Sequence, residues 1–254
     1  MGYSQKPKEL ADCVNPYIRS ISPKTGDTSP LVYVPHGTIE VAPQFTPGIG
    51  DEYLADKIFS FPAGAASIMV TTGKLKVDGK GNASGFDHDM ETATPYYYEA
   101  LLEDFNVNAE RTVTDHSIIF RFTFPRSGNS ILLMSILRNG SIEITGDNSV
   151  EGSGMIRYCK SAFGVMANDT VYFYAEFDKS IKICGTRKSN VITAGTTTQS
   201  GDDIGAFADF PTAQDEQIEV KVGISYDSIE EARENLAKEI PGWDFEIDLY
   251  VLPG

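Results

Sequence analysis

The chain has 254 residues and a formal net charge of −15 at neutral pH. That balance argues against a nucleic-acid partner, since binding a phosphate backbone rests on Lys and Arg neutralising it, and it disfavours an anionic membrane surface for the same reason. Hydrophobic residues make up 41% and aromatics 11%, which is a folded composition suited to one large all-β domain or two smaller ones.

Residues 1–12 read as a polar lead. They lack the basic-then-apolar plan of a signal peptide, and no apolar run in the chain approaches the length of a membrane span. The expectation is a soluble chain, either cytoplasmic or exported with its signal removed. From Cys13 onward Pro16, Pro23, Pro30, Pro35 and Pro43 exclude helix and favour short strands, with 31–34 and 38–41 as candidates. Gly64, Ala65 and Ala66 suit a closely packed loop. Residues 68–71 and 74–77 read as a hairpin turning at Thr72-Gly73.

The stretch 85–124 is the centre of the chain. Asp87, His88, Asp89 and Glu91 crowd into five residues, Tyr96, Tyr97 and Tyr98 follow, and a strand with Ile118, Phe120, Phe122 and Phe124 alternating closes it. Next, 131–137 is apolar throughout, as a strand buried on both faces would be. Asn139-Gly140 is the strongest hairpin signal, with 141–145 returning. Residues 171–177, 204–210 and 217–226 alternate as strands, whereas 186–203 is Thr/Gly/Ser-rich and should contain an exposed loop. Ser228 and Glu231 form a capping-box pattern opening a helix with Ile229, Ala232, Leu236 and Ile240 on one face, stopped by Pro241-Gly242. Many short strands and one terminal helix predict a large antiparallel β-sandwich.

Chemistry-bearing residues are few. If the 87–91 segment is extended, Asp87, Asp89 and Glu91 share one face, where carboxylates could grip sugar hydroxyls or a hard cation, although the spacing is not that of an EF-hand. Tyrosines stack on sugar rings, yet alternation sets Tyr97 opposite Tyr96 and Tyr98 and sends at least one ring into the core. With His36, His88 and His116 the chain holds three histidines in all, and nothing in their spacing builds a zinc site. Cys13, Cys159 and Cys184 form no CxxC motif and leave any disulfide pairing open. There is no GxSxG elbow, P-loop or GxGxxG in a strand-turn-helix setting, and the 78–86 glycine-rich run has no following helix. With 36 acidic residues, no glycosidase carboxylate pair can be selected.

Several stretches resemble a known family. VNPYI at 14–18, GDTSP and VPHGTIEVAP within 26–43, FDHDMETATPYYYEALLEDFNVNAERTVTDHSIIFRFTFP at 86–125, VYFYAEFDKSI at 171–181 and VKVGISYDSIEEARENLAKEIPGWDF at 220–245 are similar to the N-terminal domain of glycoside hydrolase family 92, the exo-acting α-mannosidases. The resemblance implies a galactose-mutarotase-like supersandwich over 13–227, a linker helix begun within 228–254, and a separate catalytic (α/α)₆ barrel. That barrel holds the family's acid, base and calcium ligands, so the resemblance implies no catalytic and no metal residue here. It implies a mannose-containing glycan as partner, carbohydrate contacts at Tyr53, Phe61, Asp87, His88, Asp89, Glu91 and Tyr97, and a periplasmic or extracellular setting. IFSFPAG at 58–64 departs from the family's GFSHTH-like run, with Phe61 and Ala63 where histidines would stand. The final residues, 246–254, do not continue the family pattern and favour a natural truncation. A free-standing carbohydrate-binding or protein-interaction module, and a mutarotase-like epimerase using His88 or His116 beside a carboxylate, are the alternatives.

Overall fold

The computed structural model describes residues 14–17, 32, 39, 42–45, 56–77, 82–159 and 166–245. In chain order its elements are β1 (Lys57–Ile58), β2 (Phe61–Ala63), β3 (Ala66–Thr72), β4 (Ser84–Gly85), β5 (Thr92–Ala93), β6 (Tyr97–Leu102), β7 (Val107–Val113), β8 (Ser117–Phe124), β9 (Ser127–Ile136), β10 (Gly140–Thr145), β11 (Ser149–Cys159), β12 (Met166–Phe177), β13 (Ile183–Lys188), β14 (Val191–Ala194), β15 (Thr198–Gly201), β16 (Ile204–Thr212), β17 (Glu216–Ser225) and α1 (Ile229–Glu239). One sheet of nine strands runs β15-β10-β11-β12-β17-β8-β7-β6-β5, and a second of six runs β14-β13-β16-β9-β3-β2. β1 and β4 form a small separate pair.

The period-2 pattern of the sequence sets the layers. On β8, Phe120, Phe122 and Phe124 point inward at 1% exposure or less, and β17 sets Val220 opposite Phe120 and Ile218 opposite Phe122. From the six-stranded sheet Ile68, Val70, Leu132, Met134, Ile136 and Ala206 meet them in one continuous core. Burying each large side chain contributes about 1.5–3 kcal/mol, so the facing layers dominate stability. β9 is apolar on both faces because Ile131 and Leu133 pack outward against Phe207 and Leu75.

Two local expectations are corrected. Asn139-Gly140 is a corner between sheets, not a hairpin: β9 lies in the six-stranded sheet, and β10 pairs with β11 and β15. The turn chemistry is still required, since Asn139 has φ 40° and a Cβ on Gly140 would sit 2.5 Å from Ile136 Cγ2. Residues 74–77 form no strand, and β3 takes β2 and β9 as neighbours instead. The segment 186–203 contains exposed turns at 189–190 and 195–197, as expected, but most of it is strand. All four residues of β14 are exposed, so no buried face left an apolar alternation to read.

α1 forms as expected. The Ser228 hydroxyl accepts from the Glu231 amide at 3.1 Å, and Ala232, Leu236 and Ile240 bury themselves on Ile119 and Tyr174 of the nine-stranded sheet. The reciprocal half of the capping box is not made, because the Glu231 carboxylate takes the Ser225 hydroxyl. The polar lead 1–12, the strands at 31–34 and 38–41 apart from buried Val32 and Ile39, Cys13, His36, Tyr53 and the tail 246–254 lie outside the described residues, as does the Cys159 side chain. Cys184 carries a free thiol. No helix among the described residues is long and apolar enough to cross a membrane.

Candidate functional site

The acidic turn after β4 divides its carboxylates. Asp87 Oδ1 accepts the Asp89 amide at 2.9 Å and the Asp87 carbonyl accepts the Met90 amide at 3.0 Å. This tight turn leaves Asp87 and Asp89 exposed and sends Glu91 inward. There the Tyr98 hydroxyl donates to Glu91 Oε2 at 2.7 Å, and His88 Nδ1 lies 3.4 Å from Oε1. The Tyr17 hydroxyl donates to the Glu91 carbonyl at 3.4 Å.

Arg111 of β7 lies under this group, fully buried, with its guanidinium carbon 4.7 Å from the Tyr98 ring centre and 5.2 Å from that of Phe61. Burial brings the Arg111 guanidinium down to about 10. Burial and the Glu91 charge push the Tyr17 phenol up to about 12 and the Tyr98 phenol well above its usual range. Both phenols therefore stay protonated as donors.

The residues expected to touch sugar thus fall into separate places. Asp87, His88 and Asp89 form a rim, with the His88 side chain one-third exposed and its ring edge-on to Phe86. Glu91 and Phe61 belong to the buried network, and at 1% exposure Phe61 presents no ring face outward. Tyr97 lies on the other side of the nine-stranded sheet, its hydroxyl shared between Glu110 Oε1 at 2.9 Å and Glu99 Oε2 at 3.0 Å, with Phe245 packed edge-on. Burial and Glu110 push that phenol up.

Asp87, Asp89 and Glu91 do not converge. No group of three or more His, Cys, Asp or Glu among the described residues could hold a metal ion. His116 is occupied elsewhere: its Nδ1 lies 2.8 Å from Glu239 Oε1, while its amide and the Thr114 hydroxyl donate to Oε2.

One concavity is not signalled by the sequence. It lies on the outer face of the six-stranded sheet as a furrow of two connected compartments, about 360 and 230 Å³, which share Gln44, Ser67, Ser135 and Leu137. Met69, Leu133 and Ser135 form the floor of the larger one, and Ser60, Asn82 and Ala83 overhang it. The wall is fixed by the Ser60 hydroxyl on Gln44 Oε1 at 2.6 Å and the Gln44 amide on the Ser60 carbonyl at 2.8 Å.

Arg187 of β13 closes the far side. It is 7% exposed, and its NH1 donates to Asp203 Oδ1 at 2.7 Å. Its Nε, and Asn82 Oδ1, are buried without a hydrogen-bond partner among the described residues. No spacing in the sequence marks this pair, because the fold brings a turn residue before β4 and a residue of β13 to one concavity. The sequence shows only a lone arginine in a neutral Thr/Gly/Ser stretch expected to contain a loop.

Two facing antiparallel sheets of nine and six strands with one terminal helix define a β-sandwich domain of the supersandwich kind. The chain belongs to glycoside hydrolase family 92 through its N-terminal domain, whose family description matches residues 13–225. Comparison with curated protein sequences finds no match.

Among solved structures, the family GH92 α-mannosidase BT3965 from Bacteroides thetaiotaomicron superposes with a TM-score of 0.85 at 23% identity, covering 97% of this chain and 37% of its own. The inverting mannosidase BT2199 of the same organism gives 0.85 at 25% identity, covering 97% and 35%. The family enzyme ccman5 gives 0.78 at 22%, covering 95% and 36%. The chain therefore spans little more than a third of these relatives' length.

Proposed function

We propose that this domain contributes carbohydrate recognition to an α-mannosidase-type glycoside hydrolase and packs against a catalytic (α/α)₆ barrel that supplies acid, base and calcium. One observation carries the reading: a buried donor, Arg187 Nε, and a buried acceptor, Asn82 Oδ1, line one furrow with no partner among the described residues. Buried polar groups are nearly always hydrogen-bonded, so two orphans on one cavity point to a guest offering both an acceptor and a donor. A hydroxyl does both, and a sugar presents several. Exposed Ile183, Ile192 and Leu137 share the furrow's face and suit cover by a second domain.

Titration of the chain with methyl α-mannoside tests this. Arg187→Gln and Asn82→Leu should each weaken binding by about tenfold, the loss of roughly 1.4 kcal/mol of polar contact, at unchanged unfolding midpoint for Asn82→Leu. Binding indifferent to both substitutions would overturn the assignment. Hydrolysis of α-mannosides by the chain alone, with calcium supplied, should be undetectable, and clear turnover would place the reacting groups here instead.

A further inference from the structure

The smaller compartment of the furrow has a different character from the larger. Its floor is the β2–β3 turn, Gly64, Ala65 and Ala66, where Gly64 holds φ 68° and small side chains leave the backbone approachable. Its walls carry Arg138 and Arg157, both exposed. The two segments are tied together, since the Met155 amide donates to the Arg138 carbonyl at 2.9 Å.

The compartment gathers two arginines and no carboxylate. In a chain of −15, Lys57, Arg121, Lys179, Arg187, Lys221 and Arg233 each hold a carboxylate. Arg138 and Arg157 form no ion pair among the described residues, and no Asp or Glu lines their compartment. Other basic side chains, Lys74, Arg126 and Lys182 among them, also form no ion pair among the described residues, but Arg138 and Arg157 set two guanidinium groups in one compartment without a carboxylate, and such a pair suits an anion. Guanidinium is the side chain best fitted to grip phosphate, sulfate or carboxylate. The seat is continuous with the compartment holding Arg187 and Asn82 through Gln44, Ser67, Ser135 and Leu137.

We propose that the furrow takes an anionic glycan, with a neutral ring beside Arg187 and Asn82 and a phosphate, sulfate or carboxylate substituent between Arg138 and Arg157. The proposal rests on the carbohydrate reading of the larger compartment and adds the charge of the ligand to it.

Calorimetric titration of the 254-residue chain with methyl α-mannoside, mannose 6-phosphate and inorganic phosphate separates the possibilities. The wild-type chain should prefer mannose 6-phosphate over the neutral sugar by about tenfold or more, a preference that fades with added salt. The double variant Arg138→Gln/Arg157→Gln, altered only at exposed positions, should lose the preference while keeping its affinity for methyl α-mannoside. Equal affinity for both sugars, or a preference that survives in the double variant, overturns this inference and leaves the carbohydrate reading standing. Inorganic phosphate bound as tightly as the sugar phosphate also overturns it, since the seat would then be a plain anion site. Failure of every sugar to bind overturns both readings together.

Discussion

The two outer faces of the sandwich are opposites. That of the nine-stranded sheet is sealed: α1 covers Ile119 and Tyr174, Arg121 lies 4.2 Å from the Phe245 ring centre, Lys221 4.5 Å from that of Trp243, and Glu110 is held by both Nε and NH2 of Arg121. That of the six-stranded sheet is open around the furrow and keeps two buried polar atoms without partners. On the open face the orphaned atoms line a concavity that a ligand could enter, whereas the one on the sealed face, Ser117 Oγ, is shut inside the chain.

The contrast can be broken at several points. The largest effect is expected on the sealed face, where Leu236→Ala empties a site 2% exposed and should cost about 3 kcal/mol in urea unfolding. A loss below about 1 kcal/mol would mean that α1 is not firmly seated. Tyr98→Phe leaves Glu91 Oε2 without its phenol donor inside the core and should cost about 1–3 kcal/mol. A neutral result would show that the 87–91 turn does not depend on its buried anchor.

Acid should loosen the helix next. Burial alone would raise the Glu239 carboxyl, but donation from Thr114 and from the amide and ring of His116 outweighs it and holds the group below its ordinary 4.5. A carboxyl lowered by folding adds stability that is fully present above its unfolded value and is lost as pH falls through the folded one. Amide exchange in α1 should therefore accelerate below about pH 4.5, and Glu239→Gln should flatten that dependence. The smallest effect belongs to the open face: Asn82→Ala should change stability by less than about 0.5 kcal/mol. If it destabilises as Leu236→Ala does, Asn82 serves the fold and the contrast fails.

Much of the architecture was legible because burial writes a period into sequence. Phe120, Phe122 and Phe124, or Val220 and Val222, need one face inside, and Ser228 needs a helix to cap. Strand partners were not legible. Asn139-Gly140 encodes a sharp turn but not which sheet the chain enters, since that depends on the whole core. The 87–91 segment was visible as a cluster, yet the split between exposed Asp87 and buried Glu91 follows from Tyr98 and Arg111 on strands that only the fold brings near. The pairing of Arg187 with Asn82 was not legible, because a residue of β13 and a turn residue before β4 meet only in the folded chain.

The most direct test of the account is NMR mapping of methyl α-mannoside on the isotopically labelled chain. Shifts gathered on Ser60, Asn82, Ser135 and Arg187, with Trp243 and α1 unmoved, are the predicted result. Shifts concentrated on α1 and the nine-stranded sheet, or none at saturating sugar, would contradict it.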